Sequence, residues 1–361
     1  MESVSDSGPR LRANLTDIPG YEAGKGPQVP LGMVGYKLSS NESPFPPLPS
    51  VRAAMAEAGS AAHRYPDPAS AELIKALARH HDVEPDNLAL GTGSVALCYQ
   101  AAQAAAGPGD GVLFAWRSFE AYPLLTKVIG ARPIAVPLKP DGGHDLPAMA
   151  DAITPDTRLV FLCTPNNPTG AIITREDLDW FLARVPPELL VVIDEAYWEF
   201  VRDERAADGL TEFRRRENVV VLRTFSKAYG LAGLRVGYAV ASRRVAAALR
   251  LTGLPFGVSS VAEYAAIASL AHQEELHRRV DAVILERERV IRFLRSIGWP
   301  VGASQANFVW LSLGVDADPF AAACDEQAVA VRLFRGEGVR VTIGEPAAND
   351  RFLQVAESFR K

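Results

Sequence analysis

Short runs of Val, Leu and Ile alternate with longer amphipathic stretches through most of this chain, and this alternation limits the folds open to it. The apolar runs predict strands at 87–91, 111–115, 132–136, 158–163, 189–194, 218–223 and 236–240. Helical patterns fall between most of them, at 94–106, 118–129, 145–153 and 174–183. Strands that are apolar on both faces and separated by helices indicate a mostly parallel sheet covered on each side. The prediction is therefore an α/β fold with three layers, helix, sheet and helix.

The chain has 361 residues, which is more than one typical hydrophobic core organises. Residues 1–30 are polar and rich in Gly and Pro, so we expect a loose N-terminal arm. A long helical pattern covers 259–296, and shorter α and β patterns follow it. These patterns predict a large domain over 50–265 and a smaller α+β domain built from 31–49 and 266–361.

Composition excludes several classes of function. Lys and Arg number 38 against 43 Asp and Glu, a net charge of −5, so no general attraction to nucleic acid or anionic membranes is expected. Cys98, Cys163 and Cys324 lie too far apart for a metal-ligand spacing, so no metal site is predicted. No apolar stretch suits a membrane span and the N-terminus lacks a secretory pattern, which predicts a cytoplasmic protein.

The sequence TFSKAYGLAGLRVG (224–237) places a lysine just after a buried strand and before a glycine-rich turn. Most lysines in such loops are simply exposed. A lysine in a dry pocket has a lowered pKa, however, and can act as a nucleophile that forms a Schiff base and later as a general base. Lys227 is the candidate, and the hydroxyls of Thr224 and Ser226 with the guanidinium of Arg235 would suit a phosphate.

Polar groups also follow three other predicted strands. Asp194 ends the apolar run of VVIDEAYWEF (191–200), where it either caps a helix or meets a cation, and Tyr197 follows three residues later. The run TPNNPTG (164–170) is a turn that could place Asn167 over a ligand. LGTGSVALCYQAA (90–102) reads as strand, glycine turn and helix, a possible phosphate site. A nucleotide site is disfavoured because the G-x-G-x-x-G pattern fails at Leu97.

With SKAYGLAGLRVG, DEAY and NNPTG in this order, the chain resembles the fold-type I aminotransferases of class I/II that depend on pyridoxal 5′-phosphate (PLP), from about residue 30 onward. The resemblance implies that the large domain binds PLP as a Schiff base on Lys227. It implies that Asp194 pairs with the ring nitrogen and that Tyr197 and Asn167 contact the ring hydroxyl. The implied phosphate cup consists of Gly93, Ser94, Thr224, Ser226 and Arg235.

The resemblance extends to further residues. Phe119 in WRSFEAYP matches an aromatic that stacks on the ring face, although it could equally face the core of its helix. Tyr65 in HRYPDP matches a tyrosine that reaches the phosphate of the neighbouring subunit, which implies a homodimer. Arg340 in GVRVTIG matches the arginine that binds the substrate α-carboxylate. The implied substrate site also includes Arg332, Asn41 and Tyr36.

Two subfamilies of the histidinol-phosphate aminotransferase lineage compete for the substrate. LSSNESPF, RYPDP and RVTIG resemble the histidinol-phosphate aminotransferases of histidine biosynthesis, whereas GSVALCYQ, FAWRSFEAYP and SQANFVWLSLG resemble actinobacterial aromatic amino acid (phenylalanine) aminotransferases. Val95 and Ala96 follow the GxGS turn, where relatives of the first kind often carry acidic residues. The aromatic interpretation is preferred, with a 2-oxo acid such as 2-oxoglutarate as acceptor. Tyr36, Phe45, Tyr122 and Phe256 are the candidates for a flat apolar wall.

Two other classes of protein remain as alternatives. A PLP decarboxylase of the same fold would differ in the angle between the substrate carboxylate and the ring, which sequence does not reveal. A PLP-binding regulator without enzymatic activity would need an added DNA-binding segment, and residues 1–30 are too short and too rich in Gly and Pro to supply one.

Overall fold

The computed structural model of this chain describes residue 9, residues 11–16 and residues 18–360. Of the predicted arm at 1–30, residues 1–8, 10 and 17 lie outside the described residues. The described part of the arm is mostly exposed and contains one 3-10 turn, Ala13–Leu15. Asn14 in this turn donates a hydrogen bond to the carbonyl of Lys127 at 2.6 Å, which attaches the arm to the large domain.

Strands and helices alternate through the described residues. The strands are β1 (Tyr36–Leu38), β2 (Leu88–Gly91), β3 (Gly111–Trp116), β4 (Arg132–Pro137), β5 (Thr157–Cys163), β6 (Leu190–Asp194), β7 (Val219–Thr224), β8 (Gly237–Ala241), β9 (Phe308–Ser312), β10 (Val329–Phe334) and β11 (Gly338–Thr342). The helices are α1 (Pro49–Gly59), α2 (Ala71–His81), α3 (Ser94–Ala105), α4 (Ala121–Ile129), α5 (Leu146–Asp151), α6 (Arg175–Leu182), α7 (Gly209–Arg215), α8 (Arg243–Thr252), α9 (Ser260–Leu270), α10 (Gln273–Ser296), α11 (Ala317–Glu326) and α12 (Pro346–Phe359). Within the described part of the chain, none of these helices is both long and apolar enough to cross a membrane.

The large sheet has the strand order β2-β8-β7-β6-β5-β3-β4. Strands β7, β6, β5, β3 and β4 pair in parallel, whereas β8 runs antiparallel to both of its neighbours. The predicted α/β fold with a mostly parallel sheet is therefore confirmed. Each predicted strand begins and ends within about two residues of the observed one, because fully buried strands form continuous apolar runs.

Successive residues of the central strands point to opposite faces of the sheet, and both faces are buried. Val220 and Leu222 of β7 belong to one apolar cluster, together with residues of α3, α4 and α8. Val219 and Val221 belong to the other, which includes residues of α5, α6 and α7. Helices on both sides of the sheet make the three layers that the pattern predicts.

The small sheet has the order β1-β10-β11-β9 and joins the two ends of the chain, because β1 pairs in parallel with β10. This pairing agrees with a small domain made from N-terminal and C-terminal segments, although the domain boundaries stay a prediction. The helical stretch predicted over 259–296 is divided into α9 and α10. The division follows from packing, since α9 contacts α1 and α10 contacts α12.

Candidate active site

The carboxyl ends of parallel strands bring the predicted polar groups to one edge of the large sheet. Asp194 is the last residue of β6, Asn167 lies four residues beyond β5, and Lys227 lies three residues beyond β7. Arg235 precedes β8, and it reaches the same edge because β8 runs antiparallel to β7. These groups border a cavity of about 590 Å³ between the large sheet and the small sheet.

Most of the residues predicted for the site border this cavity. They are Asn41, Ser94, Phe119, Asn167, Asp194, Tyr197, Thr224, Ser226, Lys227, Arg235, Arg332 and Arg340. Gly93 lies at the turn directly before Ser94 and against the guanidinium of Arg235. The structure thus brings together side chains from seven separate stretches of sequence, while their individual roles stay predictions.

Lys227 carries the amine of the site. Its Nζ donates a hydrogen bond to the backbone carbonyl of Ser40 at 3.1 Å, and no carboxylate among the described residues lies within ion-pair distance of it. Burial lowers the pKa of Lys227 to about 7, and the positive charge of Arg340 contributes in the same direction. About half of an amine with this pKa is unprotonated at neutral pH, far more than for an ordinary lysine, and the unprotonated form is an effective nucleophile and base.

Asp194 is 3% exposed and has one unsatisfied oxygen. Its Oδ2 accepts a hydrogen bond from the hydroxyl of Tyr122 at 2.9 Å, whereas its Oδ1 is buried without a partner. Burial raises the pKa of Asp194 to about 6. The next residue behaves differently, since Glu195 forms a buried ion pair with Arg223 at 2.8 Å. Asp194 is therefore a buried carboxylate arranged to receive a cation that the described residues do not supply.

The opposite end of the cavity is rich in donors for an anion. Arg235 Nη1 donates to Ser226 Oγ at 3.3 Å, and Thr224 Oγ1 donates to Ser226 Oγ at 3.0 Å. Gly93 has a φ of +86°, and a Cβ at this position would lie 2.4 Å from Arg235 Nη2. Hydroxyls, a guanidinium and the N-terminal backbone of α3 together form a cradle suited to a phosphate.

Arg340 lies between this region and the small sheet and is 7% exposed. Its Nη1 donates to Asn167 Oδ1, its Nη2 donates to the carbonyl of Ser39 at 2.9 Å, and its Nε is buried without a partner. Asn41 Nδ2 donates to the hydroxyl of Tyr197 at 2.9 Å. Arg340 therefore has only neutral partners among the described residues, which leaves its charge for an anionic ligand.

Glu120 and Tyr21 are among the cavity residues that were not predicted from the sequence. Glu120 forms an ion pair with Arg332 at 2.9 Å, and Tyr21 of the N-terminal arm borders the cavity beside it. Tyr21 is 55% exposed, and its partial desolvation against the cavity raises its pKa, with the negative charge of Glu120 adding to this effect. Glu120 directly follows Phe119, a predicted site residue, and this position was a sequence signal that Glu120 lies near the site. Nothing in the sequence around Tyr21 distinguishes it from other tyrosines in loops.

The four aromatic residues expected to form a flat wall lie outside the cavity. Tyr36 is in β1, with the guanidinium of Arg351 over its ring, and Phe45 packs against the core. Tyr122 is fully buried behind Asp194. Phe256 is exposed and its ring lies 4.9 Å from that of Tyr65, which is itself 85% exposed and outside the cavity of its own chain. None of these four rings borders the cavity of its own chain, so their part in the substrate site stays a prediction.

Comparison with known proteins gives the family. The model of aminotransferase class I and II matches residues 35–355. An aromatic amino acid aminotransferase of Streptomyces avermitilis is 56% identical over 99% of both chains, and one of Thermobifida fusca is 54% identical over 98% of both. The solved structure of histidinol-phosphate aminotransferase from Sinorhizobium meliloti in complex with PLP covers 91% of each chain with a TM-score of 0.83 at 29% identity.

The chain belongs to the class I and II aminotransferases. It is accordingly a PLP-dependent enzyme, as enzymes of this family are. The geometry fits this cofactor at three points: the amine of Lys227 with its lowered pKa, the unpaired Oδ1 of Asp194 and the cradle around Gly93. A side chain at position 93 would fill the space in which Arg235 lies.

Proposed function

We propose that this protein transfers the amino group of aromatic amino acids to a 2-oxo acid such as 2-oxoglutarate, in a ping-pong reaction. The observation that carries the proposal is the 56% identity, over 99% of both chains, to a protein named aromatic amino acid aminotransferase. The cavity supports it, because Arg340 offers a buried guanidinium without a carboxylate partner among the described residues. A guanidinium of this kind suits the α-carboxylate that every amino acid carries.

The residues of the cavity would hold the cofactor at five places. Lys227 would bind it covalently through Nζ, and Asp194 would pair with its protonated ring nitrogen. The remaining contacts would come from Tyr197 and Asn167 at the ring oxygen, from Phe119 at the ring face, and from Gly93, Ser94, Thr224, Ser226 and Arg235 at the phosphate. The cofactor, when bound, supplies the electron sink that stabilises negative charge at the substrate Cα.

The protein residues orient the substrate and move its proton. Arg340 binds the α-carboxylate, which fixes the Cα beside the amine of Lys227. Lys227 Nζ, released when the substrate amine takes its place on the cofactor, would then take the proton from the Cα, and its lowered pKa of about 7 leaves about half of the free amine unprotonated at neutral pH. Asp194 would hold the protonated ring nitrogen through its unpartnered Oδ1, and this positive charge would stabilise the ionised form of the carboxylate.

Histidinol phosphate is the second candidate substrate. The observation that favours it is the similarity to the Sinorhizobium meliloti histidinol-phosphate aminotransferase. Arg332 also borders the cavity next to Arg340, and two arginines would suit a phosphate. The identity of 29% to that protein is, however, far below the 56% to the aromatic relative.

A side-by-side assay tests the proposed function. The holoenzyme is mixed with phenylalanine, histidinol phosphate or glutamate, and the conversion of the lysine-bound cofactor to its amine form is followed by visible absorption. We expect a larger kcat/KM for phenylalanine than for histidinol phosphate. Rapid conversion by histidinol phosphate and none by phenylalanine would reverse the assignment, and CO₂ release in place of oxo-acid formation would indicate a decarboxylase.

We also propose that the active unit is a cytoplasmic homodimer. The exposed aromatic pair of Tyr65 and Phe256 supports a contact with a second copy, because exposed apolar patches mark interfaces. The three cysteines are buried and unpaired, which is compatible with a reducing compartment. Cell fractionation with an antibody against the protein tests the location.

A further inference from the structure

Two arginines stand opposite each other on neighbouring strands of the small sheet. Arg332 of β10 and Arg340 of β11 are direct cross-strand partners, so both side chains lie on the same face of the sheet. Both are less than 10% exposed, and both border the cavity. Each guanidinium also lies within 6 Å of the ring of Phe334. The positive charges of two arginines on directly paired residues repel each other unless one of them has a negatively charged partner.

The partners of the two arginines differ in charge. Arg332 Nη2 donates to both carboxylate oxygens of Glu120, at 3.1 and 2.9 Å, and its Nη1 donates to the carbonyl of Ala23 at 3.3 Å. Arg340 has neutral partners and an unpartnered Nε. In the cavity, the charge of Arg332 is therefore neutralised by Glu120, whereas the charge of Arg340 is available to a ligand.

Glu120 is placed so that it acts on the substrate end of the cavity. It directly follows Phe119, the candidate for the ring face, and precedes α4, and it borders the cavity itself. Its side chain is 28% exposed and that of Arg332 is 9% exposed, so water screens the pair only in part. An anion that approached Arg332 would meet the carboxylate of Glu120 at close range.

We propose that Glu120 is a specificity-determining residue, which neutralises Arg332 and so selects donors with an uncharged side chain over donors that carry a phosphate. A phosphate dianion would have to displace Glu120 or lie against its negative charge, whereas an aromatic ring incurs neither cost. Glu120 acts through Arg332 and is in this sense a positioning residue. The inference deepens the proposed function and rests on it for the identity of the favoured donor.

The test removes the charge and keeps the shape. The Glu120→Gln holoenzyme is compared with the wild type and with the double variant Glu120→Gln/Arg332→Gln. Glu337→Gln is the matched control, because Glu337 also pairs with an arginine, Arg117, and lies outside the active-site cavity. Two quantities are measured: the ratio of kcat/KM for histidinol phosphate to that for phenylalanine, and the affinity for inorganic phosphate by calorimetric titration.

We expect Glu120→Gln to raise the ratio and the phosphate affinity about tenfold or more, since an uncompensated guanidinium binds phosphate through charge-assisted hydrogen bonds. The double variant should return both quantities towards the wild type, and Glu337→Gln should leave them unchanged. If Glu120→Gln lowers kcat/KM for both substrates in parallel and phosphate affinity does not rise, the ion pair between Glu120 and Arg332 is merely structural. This result overturns the inference.

The two proposals fail in distinguishable ways. A wild-type enzyme that does not convert phenylalanine contradicts the proposed function, whatever Glu120→Gln does. The phosphate titration needs no amino donor, so it still decides whether Glu120 neutralises Arg332. If the wild type converts phenylalanine but Glu120→Gln does not change the phosphate affinity, only the inference about Glu120 is contradicted.

Discussion

Burial moves the ionisation of the two central residues of the site in opposite directions. It lowers the pKa of the Lys227 amine to about 7 and raises the pKa of the Asp194 carboxyl to about 6. In both cases the low-polarity surroundings disfavour the charged form. The lysine gains reactivity from this, because only the unprotonated amine attacks a carbonyl. The aspartate is still mostly ionised at neutral pH, and a cationic ligand beside its Oδ1 would lower its pKa again.

The lowered pKa of Lys227 predicts how the apoenzyme captures PLP at different pH values. The amine is protonated below its pKa, so the rate of covalent capture should fall about tenfold per pH unit below about pH 7 and level off above it. An ordinary lysine, with a pKa near 10.5, would keep gaining rate up to that value. Stopped-flow visible absorption of apoenzyme mixed with PLP measures the profile, with N-acetyl-lysine as the reference amine and Lys227→Ala as the variant that forms no bond. A rate that still rises tenfold per unit above pH 8 would contradict a pKa of about 7.

Residue by residue, the sequence predicts those groups that follow strand ends. Lys227, Asp194 and Asn167 could be predicted because a polar group directly after a buried strand must lie at the edge of the sheet. Glu120 could be inferred only from its neighbour Phe119, and Tyr21 could not be predicted, since its place in the cavity depends on how the N-terminal arm packs against β10. Side chains that reach a site from packed surfaces leave no pattern in their own segment.

At the level of elements, the strands of the large sheet were predictable because apolar residues on both faces produce uninterrupted runs. The division of 259–296 into α9 and α10 was not predictable, because Ala271 and His272 at the break include no Gly or Pro.

The glycine turn between β2 and α3 is the element on which the phosphate cradle depends. Gly93 there has a φ of +86° and lies against Arg235.

Gly93→Ala tests this turn. A Cβ at this position would lie 2.4 Å from Arg235 Nη2, and the positive φ adds strain for any L side chain. We expect Arg235 to move out of the cradle and the dissociation constant of PLP to rise about tenfold or more, because a side chain in this backbone region costs about 1–3 kcal/mol and a lost charge-assisted hydrogen bond about 1.5–3 kcal/mol. Fluorescence titration of the apoenzyme with PLP measures the change. Gly107→Ala is the control, since nothing lies within 4 Å of the Cβ position at this glycine. If the two variants bound PLP with equal affinity, the turn at Gly93 would not contribute to phosphate binding.

At the level of the whole molecule, one chain leaves aromatic surface exposed beside its own site. Tyr65 is 85% exposed and packs only against Phe256 among the aromatic rings of the described residues. The loop that carries Phe256 continues to Gly257, whose Cβ position is 3.5 Å from Thr92, and Thr92 accepts a hydrogen bond from Arg235. The exposed patch therefore adjoins the phosphate end of the cavity, where a second copy of the chain would be able to contribute its tyrosine.

Subunit mixing tests whether Tyr65 serves the site of a second copy. We expect Tyr65→Ala to lower kcat/KM at least about tenfold, because a hydroxyl that donates to a phosphate contributes about 1.5–3 kcal/mol. In a homodimer that shares Tyr65, a hybrid of Lys227→Ala and Tyr65→Ala subunits has one intact site, built from the lysine of one subunit and the tyrosine of the other. Equal amounts, dissociated and reassembled, should therefore recover about a quarter of the wild-type activity, since half of the dimers are hybrids with one of two sites intact. Sedimentation velocity verifies that dimers have formed, and a mixture of Lys227→Ala with the Lys227→Ala/Tyr65→Ala double variant should recover nothing. Activity of the first mixture equal to the average of its two parents would show that Tyr65 acts within its own subunit or not at all.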